Sequence, residues 1–202
     1  MTAKRGLDVV VAMTALVLVS PLLLLVAALV RLTSSGPALF RQTRVGQYGR
    51  TFEMLKFRTM RDGCDDGVHR EYVERMLTHG VEPQNGLYKL DTDPRITRVG
   101  ALLRRTSIDE IPQLLNVIRG EMSLVGPRPA LPFEAQMFPA WAASRFTVQP
   151  GLTGMWQVNG RNRLTMIDGL RLDVEYVARR TLLLDLAILA RTVPAVLGGG
   201  AR

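Results

Sequence analysis

The hydrophobic pattern separates a long apolar segment near the N-terminus from a remainder in which apolar and polar residues mix. The apolar run extends from Val9 to Val30, follows two basic residues and closes at Arg31. Its 22 residues are about the number that a helix needs to span the ~30 Å core of a bilayer. The run therefore predicts a membrane helix within residues 1–33.

Ser20 and Pro21 lie near the middle of this run. Proline removes one backbone hydrogen bond and kinks a helix. Basic residues lie on both sides of the run, so the positive-inside rule assigns no orientation. Two arrangements fit the pattern. One is a kinked helix that crosses the membrane once, and the other is a re-entrant helix that breaks at Ser20–Pro21 and returns to the same face.

In residues 34–202, apolar residues recur at the short spacings of amphipathic strands and helices, as in a folded domain. The residues from Phe40 to Phe57 predict a β-hairpin with Gln47–Arg50 as its turn. Apolar residues at helical spacing predict helices over His69–Thr78, Leu131–Phe146 with an interruption at Pro139, Leu164–Arg180 and Thr181–Val196.

The last of these helices, at about 16 residues, is short for a membrane span, and we expect an interfacial amphipathic helix that lies along the membrane. The predicted fold class is α+β and mostly helical. It comprises one compact domain, residues 34–202, anchored by the membrane helix of residues 1–33.

The stretch from Arg104 to Pro129 concentrates the candidate chemistry. Ile111, Leu114, Leu115 and Ile118 recur at helical spacing and predict a short helix that Gly120 ends. Asp109 and Glu110 then lie at the N-terminus of this helix, where the helix dipole stabilises negative charge. Two registers fit, a capping box of Ser107 with Glu110, or Asp109 as the cap with Pro112 in the first turn.

Arginines surround this acidic pair in the sequence. An ionised carboxylate beside Arg104 and Arg128 can attack phosphorus or hold a metal ion. The run Gly126-Pro-Arg-Pro129 predicts a rigid loop that presents the Arg128 guanidinium, a planar fork suited to phosphate. The competing interpretation of Asp109 and Glu110 is an ordinary helix cap without catalysis.

The composition limits the classes of molecule that the protein is expected to bind. The net charge of +8 indicates an anionic partner, which could be nucleic acid, an acidic membrane surface or a phosphorylated substrate. The basic residues are spread along the chain and no nucleic-acid motif is present, which disfavours nucleic acid. The single cysteine, Cys64, excludes an internal disulfide, and no cluster of Cys and His predicts a zinc site.

Three runs resemble the bacterial sugar transferase family, the monotopic phosphoglycosyl transferases. These runs are Ser107–Val117, Gly120–Pro129 and Lys56–Met60, and the resemblance covers most of the chain. It implies that Asp109 attacks the β-phosphate of a nucleotide diphosphosugar, with a UDP-sugar as the expected donor, and carries a covalent phosphosugar. Glu110 would then assist transfer to a polyprenyl phosphate such as undecaprenyl phosphate. The resemblance also implies Mg²⁺, bound in part by Asp109, and favours the re-entrant form of the N-terminal helix.

Further site residues follow from the same resemblance and from the hydrogen-bonding block Val148–Arg161, whose backbone N–H groups are expected to bind anions. Gln149 stands where the family usually has Arg, which removes one expected phosphate contact. The expected phosphate-binding residues are Arg104, Arg128, Lys56 and Arg58, and the expected nucleotide-binding residues are Pro127, Pro129, Gln157, Asn159 and Arg161.

The sequence thus predicts an enzyme that performs the first membrane step of glycoconjugate synthesis. Its catalytic domain is expected on the cytoplasmic face of the inner membrane, where nucleotide sugars are available. The alternative is a basic, membrane-tethered binding protein without catalysis. The identity of the sugar cannot be read from the sequence, and a homodimer stays an open alternative to a monomer.

Overall fold

A computed structural model of the chain describes residues 2–61, 95–160 and 164–197. The helix expected over His69–Thr78 and the expected nucleotide ligand Arg161 lie outside these ranges. The described part is mostly helical and contains two small sheets, which agrees with the predicted fold class. Its elements are α1 (Thr2–Thr33), β1 (Leu39–Val45), β2 (Thr51–Phe57), α2 (Arg98–Thr106), α3 (Gln113–Arg119), β3 (Ser123–Val125), α4 (Pro132–Met137), β4 (Gly151–Thr153), α5 (Met155–Asn159), α6 (Met166–Arg179) and α7 (Leu182–Leu197).

Helix α1 extends beyond the apolar run at both ends and continues through Pro21, so the interruption expected at Ser20–Pro21 is absent from the backbone. Pro21 cannot donate to the Val17 carbonyl, which is four residues earlier in the helix. The Ser20 hydroxyl donates to that same carbonyl at 2.8 Å. It replaces the missing hydrogen bond, and this allows the helix to continue.

The N-terminal part of α1 is fixed to the rest of the chain by charged side chains. Arg5 donates from Nη1 to Val117 O at 2.6 Å and from Nη2 to Ile118 O at 2.9 Å. These are carbonyls of the last turn of α3, where a helix leaves its acceptors unsatisfied. Asp8 is buried and accepts a hydrogen bond of 2.8 Å from the hydroxyl of Ser123.

The C-terminal part of α1 packs on the same body of the protein. Val26 and Val30 are buried in a cluster with Phe57 of β2 and Leu103 of α2. By length and composition, residues 3–33 could cross a membrane. Several large apolar side chains of α1 between these two attachments are exposed, including Val17, Leu18, Leu24 and Leu25.

The hairpin is present as predicted. β1 and β2 pair antiparallel, with Phe40 opposite Lys56, and residues 47–49 form the turn between them. Tyr48 adopts a left-handed conformation in this turn, at φ 57°. The second sheet is parallel and has two strands, in which Ser123 of β3 pairs with Gly151 of β4.

Asn116 docks α3 on the hairpin. This side chain is fully buried, and its Oδ1 accepts from Leu55 N at 3.0 Å while its Nδ2 donates to Glu53 O at 2.7 Å. The amide thus occupies the free edge of β2 in the way that a neighbouring strand would. Since Asn116 holds Glu53 and Leu55, α3 lies directly beside the part of β2 that carries Lys56.

Helix α3 ends at Gly120, as predicted, with Gly120 at φ 86°. Its most deeply buried apolar side chains are Leu114 and Val117, whereas Leu115 and Ile118 are half-buried. The expected interruption at Pro139 is also present, because α4 ends at Met137 and a 3₁₀ segment of residues 140–147 follows.

The core of the domain contains polar and charged side chains. Asp173 and Tyr176 of α6 are buried, as is Asp185 of α7. The Tyr176 hydroxyl donates to Asp185 at 2.7 Å, and Lys4 of α1 contacts the other oxygen of the same carboxylate at 2.7 Å. Helices α1, α6 and α7 are therefore joined by one polar cluster.

Candidate active site

Asp109 and Glu110 lie in a single 3₁₀ turn, residues 108–110, between α2 and α3. Both predicted capping registers are wrong. Ser107 makes no side-chain cap, and Pro112 is the residue before the first turn of α3. The reason is that Ser107 adopts a left-handed conformation, φ 57°, and closes the end of α2 with its backbone N–H. Asp109 is buried and Glu110 is half-buried.

Three of the expected site residues, Arg104, Asp109 and Glu110, act on the charge of a fourth, Lys56 of β2. Burial and the Arg44 guanidinium lower the pKa of Lys56 to about 8. The carboxylates of Asp109 and Glu110 oppose this shift, while the Arg104 guanidinium adds to it. These effects on Lys56 act over short distances, so Lys56, Arg104 and the acidic pair form one mixed-charge cluster. We call the site that contains this cluster the dyad pocket, after the carboxylate pair Asp109 and Glu110.

Arg44 is a member of this pocket that our sequence analysis did not select. It is buried, and its Nη1 donates to Pro129 O at 3.0 Å. A signal for it was available, because residues two apart on a strand share a face and paired residues do so across strands. Phe40 pairs with Lys56, and Arg44 lies on the same face of β1 as Phe40. Arg44 thus links the dyad pocket to the loop around Arg128.

That loop presents Arg128 as the sequence predicts. Pro127 and Pro129 are buried and Arg128 between them is exposed. The loop rests against β4, because Gly126 N donates to Thr153 O at 2.9 Å and Gly151 N donates to Pro127 O at 2.8 Å. A side chain at Gly126 would meet the Gln149 carbonyl at 2.5 Å, so this close approach requires glycine.

The block Val148–Asn159 differs from the open anion-binding loop that we expected. Much of it forms β4 and α5, and the Gly151 N–H donates to Pro127 O instead of an anion. Gln149 donates from Nε2 to Gly120 O at 2.6 Å. The residue that replaces the family's usual Arg thus caps the C-terminus of α3.

The remaining expected ligands take other positions. Asn159 accepts from Arg191 of α7 at 2.9 Å and donates to Met155 O at 2.9 Å, so its amide connects α5 with α7. Gln157 is half-buried on α5. Arg58 is buried and donates from Nη2 to the carbonyl and the hydroxyl of Ser34, both at 3.0 Å, which fixes the chain after α1.

A metal ion at this site would have few protein ligands. Among the described residues, no group of three or more His, Cys, Asp and Glu side chains could enclose an ion. Mg²⁺ is commonly held by one or two carboxylates together with substrate phosphates and water. Asp109 and Glu110 fit that mode of binding, since they are adjacent carboxylates in a pocket that also contains cations.

An acidic pair beside guanidinium and ammonium groups is a kind of site that can bind phosphorylated substrates. The chain belongs to the bacterial sugar transferase family, whose model matches residues 1–199. It is 44% identical over 194 residues to the exopolysaccharide production protein ExoY of Rhizobium meliloti, covering 96% of this chain and 85% of that one. It is also 44% identical over 204 residues to a UDP-glucose:undecaprenyl-phosphate glucose-1-phosphate transferase of Caulobacter vibrioides, covering 96% and 69% of the two chains. An undecaprenyl-phosphate galactose phosphotransferase of Salmonella typhimurium is 39% identical over 194 residues, 96% of this chain and 40% of its own.

Proposed function

We propose that this protein transfers a sugar-1-phosphate from a UDP-sugar to undecaprenyl phosphate through a covalent intermediate on Asp109. The observation that carries the proposal is the position of Asp109, a buried carboxylate in one pocket with Lys56, Arg104 and Arg44. The names of relatives with 39% to 44% identity describe the same reaction class, with glucose or galactose as the sugar. Membership of this family disfavours the alternative of a binding protein without catalysis.

The reaction has two displacements at the same phosphorus. In the first, an Asp109 carboxylate oxygen bonds to the β-phosphorus of the donor. The bond from that phosphorus to the oxygen shared with the α-phosphorus breaks, and UMP leaves with that oxygen. In the second, an oxygen of the lipid phosphate bonds to the phosphorus and Asp109 leaves with its electron pair. The product is a sugar diphospholipid, and Asp109 is regenerated.

The cations around Asp109 have a clear task in this scheme. Negative charge spreads over the phosphoryl oxygens during each displacement, and fixed positive groups stabilise it most where water is excluded. In this proposal Lys56 and Arg104 stabilise that charge, and the exposed Arg128 contacts the donor phosphates. Mg²⁺ held by Asp109 and Glu110 would neutralise further charge on the donor phosphates.

The two substrates explain the membrane attachment. The donor is soluble and the acceptor phosphate lies at the bilayer surface, so the pocket must lie at the interface. Both attachments of α1, at Arg5 and at Val30, are to the same domain. This supports a re-entrant α1 that bends at Pro21 without a break in the helix and keeps both ends on the cytoplasmic face. Exposed apolar residues of α7, among them Leu183, Leu186 and Val193, support its placement along the same membrane surface.

A donor panel tests the proposed function. The purified protein in lipid nanodiscs is incubated with undecaprenyl phosphate, Mg²⁺ and one of several UDP-sugars, beginning with UDP-glucose and UDP-galactose, and UMP release is measured. We expect release with at least one UDP-sugar, dependent on the lipid phosphate for repeated turnover. Absence of UMP release with every UDP-sugar, in protein that is folded by circular dichroism, would contradict the proposal.

The lowered pKa of Lys56 predicts a pH dependence. Below about pH 8 the ammonium is charged and attracts donor phosphate, and as the pH rises through 8 this charge is lost. We expect kcat/KM for the UDP-sugar, which reports the free enzyme, to fall about tenfold per pH unit above that value. A Lys56→Arg variant keeps its charge because the Arg pKa exceeds ~12, so its lower activity should not show this decline.

The measurement is UMP release at limiting donor concentration across the pH range, with Mg²⁺ saturating at each point. A parent profile that stays flat to about pH 9.5 would remove Lys56 from phosphate binding. The same conclusion follows if Lys56→Arg declines in parallel with the parent, because the titrating group would then be another residue.

A further inference from the structure

The backbone of the Arg128 loop is held by two buried guanidinium groups. Arg145 donates from Nη2 to Arg128 O at 2.6 Å, and Arg44 donates from Nη1 to Pro129 O at 3.0 Å. Two consecutive carbonyls are thus bound from different parts of the chain, since Arg44 belongs to β1 and Arg145 to the 3₁₀ segment before β4. Between the buried residues Pro127 and Pro129, the Arg128 side chain alone extends into solvent.

Arg145 itself is fixed on several sides. Its Nε and Nη2 both donate to one oxygen of Asp173, at 3.2 and 2.7 Å, and the two side chains are 2% and 1% exposed. Its guanidinium also lies 4.9 Å from the ring centroid of Phe138 and 5.2 Å from that of Phe146. A buried ion pair contributes little net stability compared with apolar residues of the same size. Its geometry, however, directs one N–H of Arg145 to the loop.

We infer that Arg145 and Asp173 are positioning residues for Arg128, holding its backbone so that its guanidinium meets the donor phosphates in a fixed orientation. This inference rests on the proposed function, in which Arg128 contacts the donor. A displacement of about 1 Å at a substrate-binding group can cost about a hundredfold in rate. The pair would therefore affect catalysis without touching either substrate.

The electrostatics of Asp173 agree with this arrangement. Burial raises the pKa of its carboxyl to about 6, while the charge and the hydrogen bonds of Arg145 act in the opposite direction. Smaller effects of Arg128 also favour the ionised carboxylate. The ion pair is accordingly formed at about pH 7.5, which is the condition for the tests below.

The first test measures the loop directly and requires no turnover. Hydrogen–deuterium exchange of the full-length protein in nanodiscs is compared among the parent, Arg145→Lys and Asp173→Asn, with Glu175→Gln as the control. Glu175 lies on the same helix as Asp173 and forms an exposed pair with Arg179. We expect exchange in peptides that cover residues 126–130 to become about tenfold faster in the two test variants, because a charge-assisted hydrogen bond is lost. Peptides from α3 should not change.

The second test is a double-mutant cycle on kcat/KM for UMP release from the preferred UDP-sugar. We expect Arg128→Ala to lower kcat/KM about a hundredfold and Arg145→Lys to lower it about tenfold. In the double variant the loss should equal that of Arg128→Ala alone, within about twofold, because Arg145 acts only through Arg128. The Arg145→Lys loss should also fall in the same parameter, kcat or KM, as that of Arg128→Ala.

Each result decides the inference. Unchanged exchange of the loop in both variants overturns it, and so does faster exchange throughout the protein, which would indicate general destabilisation. Losses that multiply in the double variant overturn it as well, since Arg145 would then act independently of Arg128. If the parent releases no UMP, the proposed function fails, while the exchange experiment still decides whether Arg145 and Asp173 position the loop.

Discussion

Replacement of Asp109 by Asn is expected to abolish covalent labelling and to lower kcat by at least about 10⁴-fold, the range seen when a catalytic nucleophile is removed. The amide has nearly the same shape as the carboxylate but is a far poorer nucleophile. It also removes a negative charge that acts on Lys56. The measurement is incubation with UDP-sugar and Mg²⁺ without lipid acceptor, followed by intact mass spectrometry for the added sugar phosphate.

Glu110→Gln is the matched control for this experiment, because it changes the neighbouring carboxylate in the same 3₁₀ turn. We expect this variant still to take up label and to release it slowly when undecaprenyl phosphate is added. Ping-pong kinetics of the parent would accompany this result. Label and normal turnover in Asp109→Asn would show that Asp109 is not the nucleophile, and label lost only in Glu110→Gln would exchange the two roles.

Local signals in the sequence were sufficient for the elements that depend on them. The turn at residues 47–49 joins strands with clear apolar positions, and Gly120 supplies the left-handed residue that ends α3. Pro139 interrupts the segment after the loop, as its fixed geometry requires. At Gly120 and Pro139 the residue type favours the observed conformation, so tertiary contacts have little to change there.

Tertiary contacts decided the features that the sequence analysis missed. Ser107 is a good helix cap in isolation, yet it adopts a left-handed conformation to close α2 and places Asp109 in a separate turn. Asp173 lies in the helix predicted over Leu164–Arg180, and nothing in the sequence indicated its buried ion pair with Arg145. Spacing along one element cannot reveal a partner that belongs to another element.

In the candidate site, too, local motifs identified some residues and tertiary contacts determined the role of others. Asp109, Glu110, Arg104 and Lys56 were selected from motifs, and in the structure the first three act on the charge of Lys56. Gln149 was expected only as a lost phosphate contact, and its contact with Gly120 shows a structural use of that position. The identity of the sugar is absent from both, since selection among sugars depends on contacts that a bound donor would make.

The membrane helix combines a local signal with a tertiary one. A straight α-helix of 32 residues would rise about 48 Å, more than the ~30 Å core of a bilayer, so length alone permits a crossing. A crossing would separate Arg5 and Val30 by the thickness of the membrane, but both contact the same domain. Pro21 and the hydrogen bond of the Ser20 hydroxyl to Val17 O lie in the central part of α1, where large apolar side chains are exposed. This central part is expected to enter the lipid.

Replacing Ser20 and Pro21 together by Ala and Leu is expected to convert α1 from the proposed re-entrant form into a helix that crosses the membrane. With leucine in place of Pro21, the backbone N–H at that position would donate to Val17 O, the carbonyl now satisfied by the Ser20 hydroxyl, and the complete set of backbone hydrogen bonds would favour a straight helix.

The test is labelling from the periplasmic side of intact cells, using Thr2→Cys in a Cys64→Ser background. Thr51→Cys, on the exposed start of β2, is the control for membrane integrity and should stay protected in every strain. We expect Thr2→Cys to be protected in the parent and labelled in the Ser20→Ala, Pro21→Leu variant, a change from almost none to most of the protein. Labelling of Thr2→Cys in the parent would mean that α1 spans the membrane, and protection in both would mean that the contacts at its two ends hold it re-entrant without help from Ser20 and Pro21.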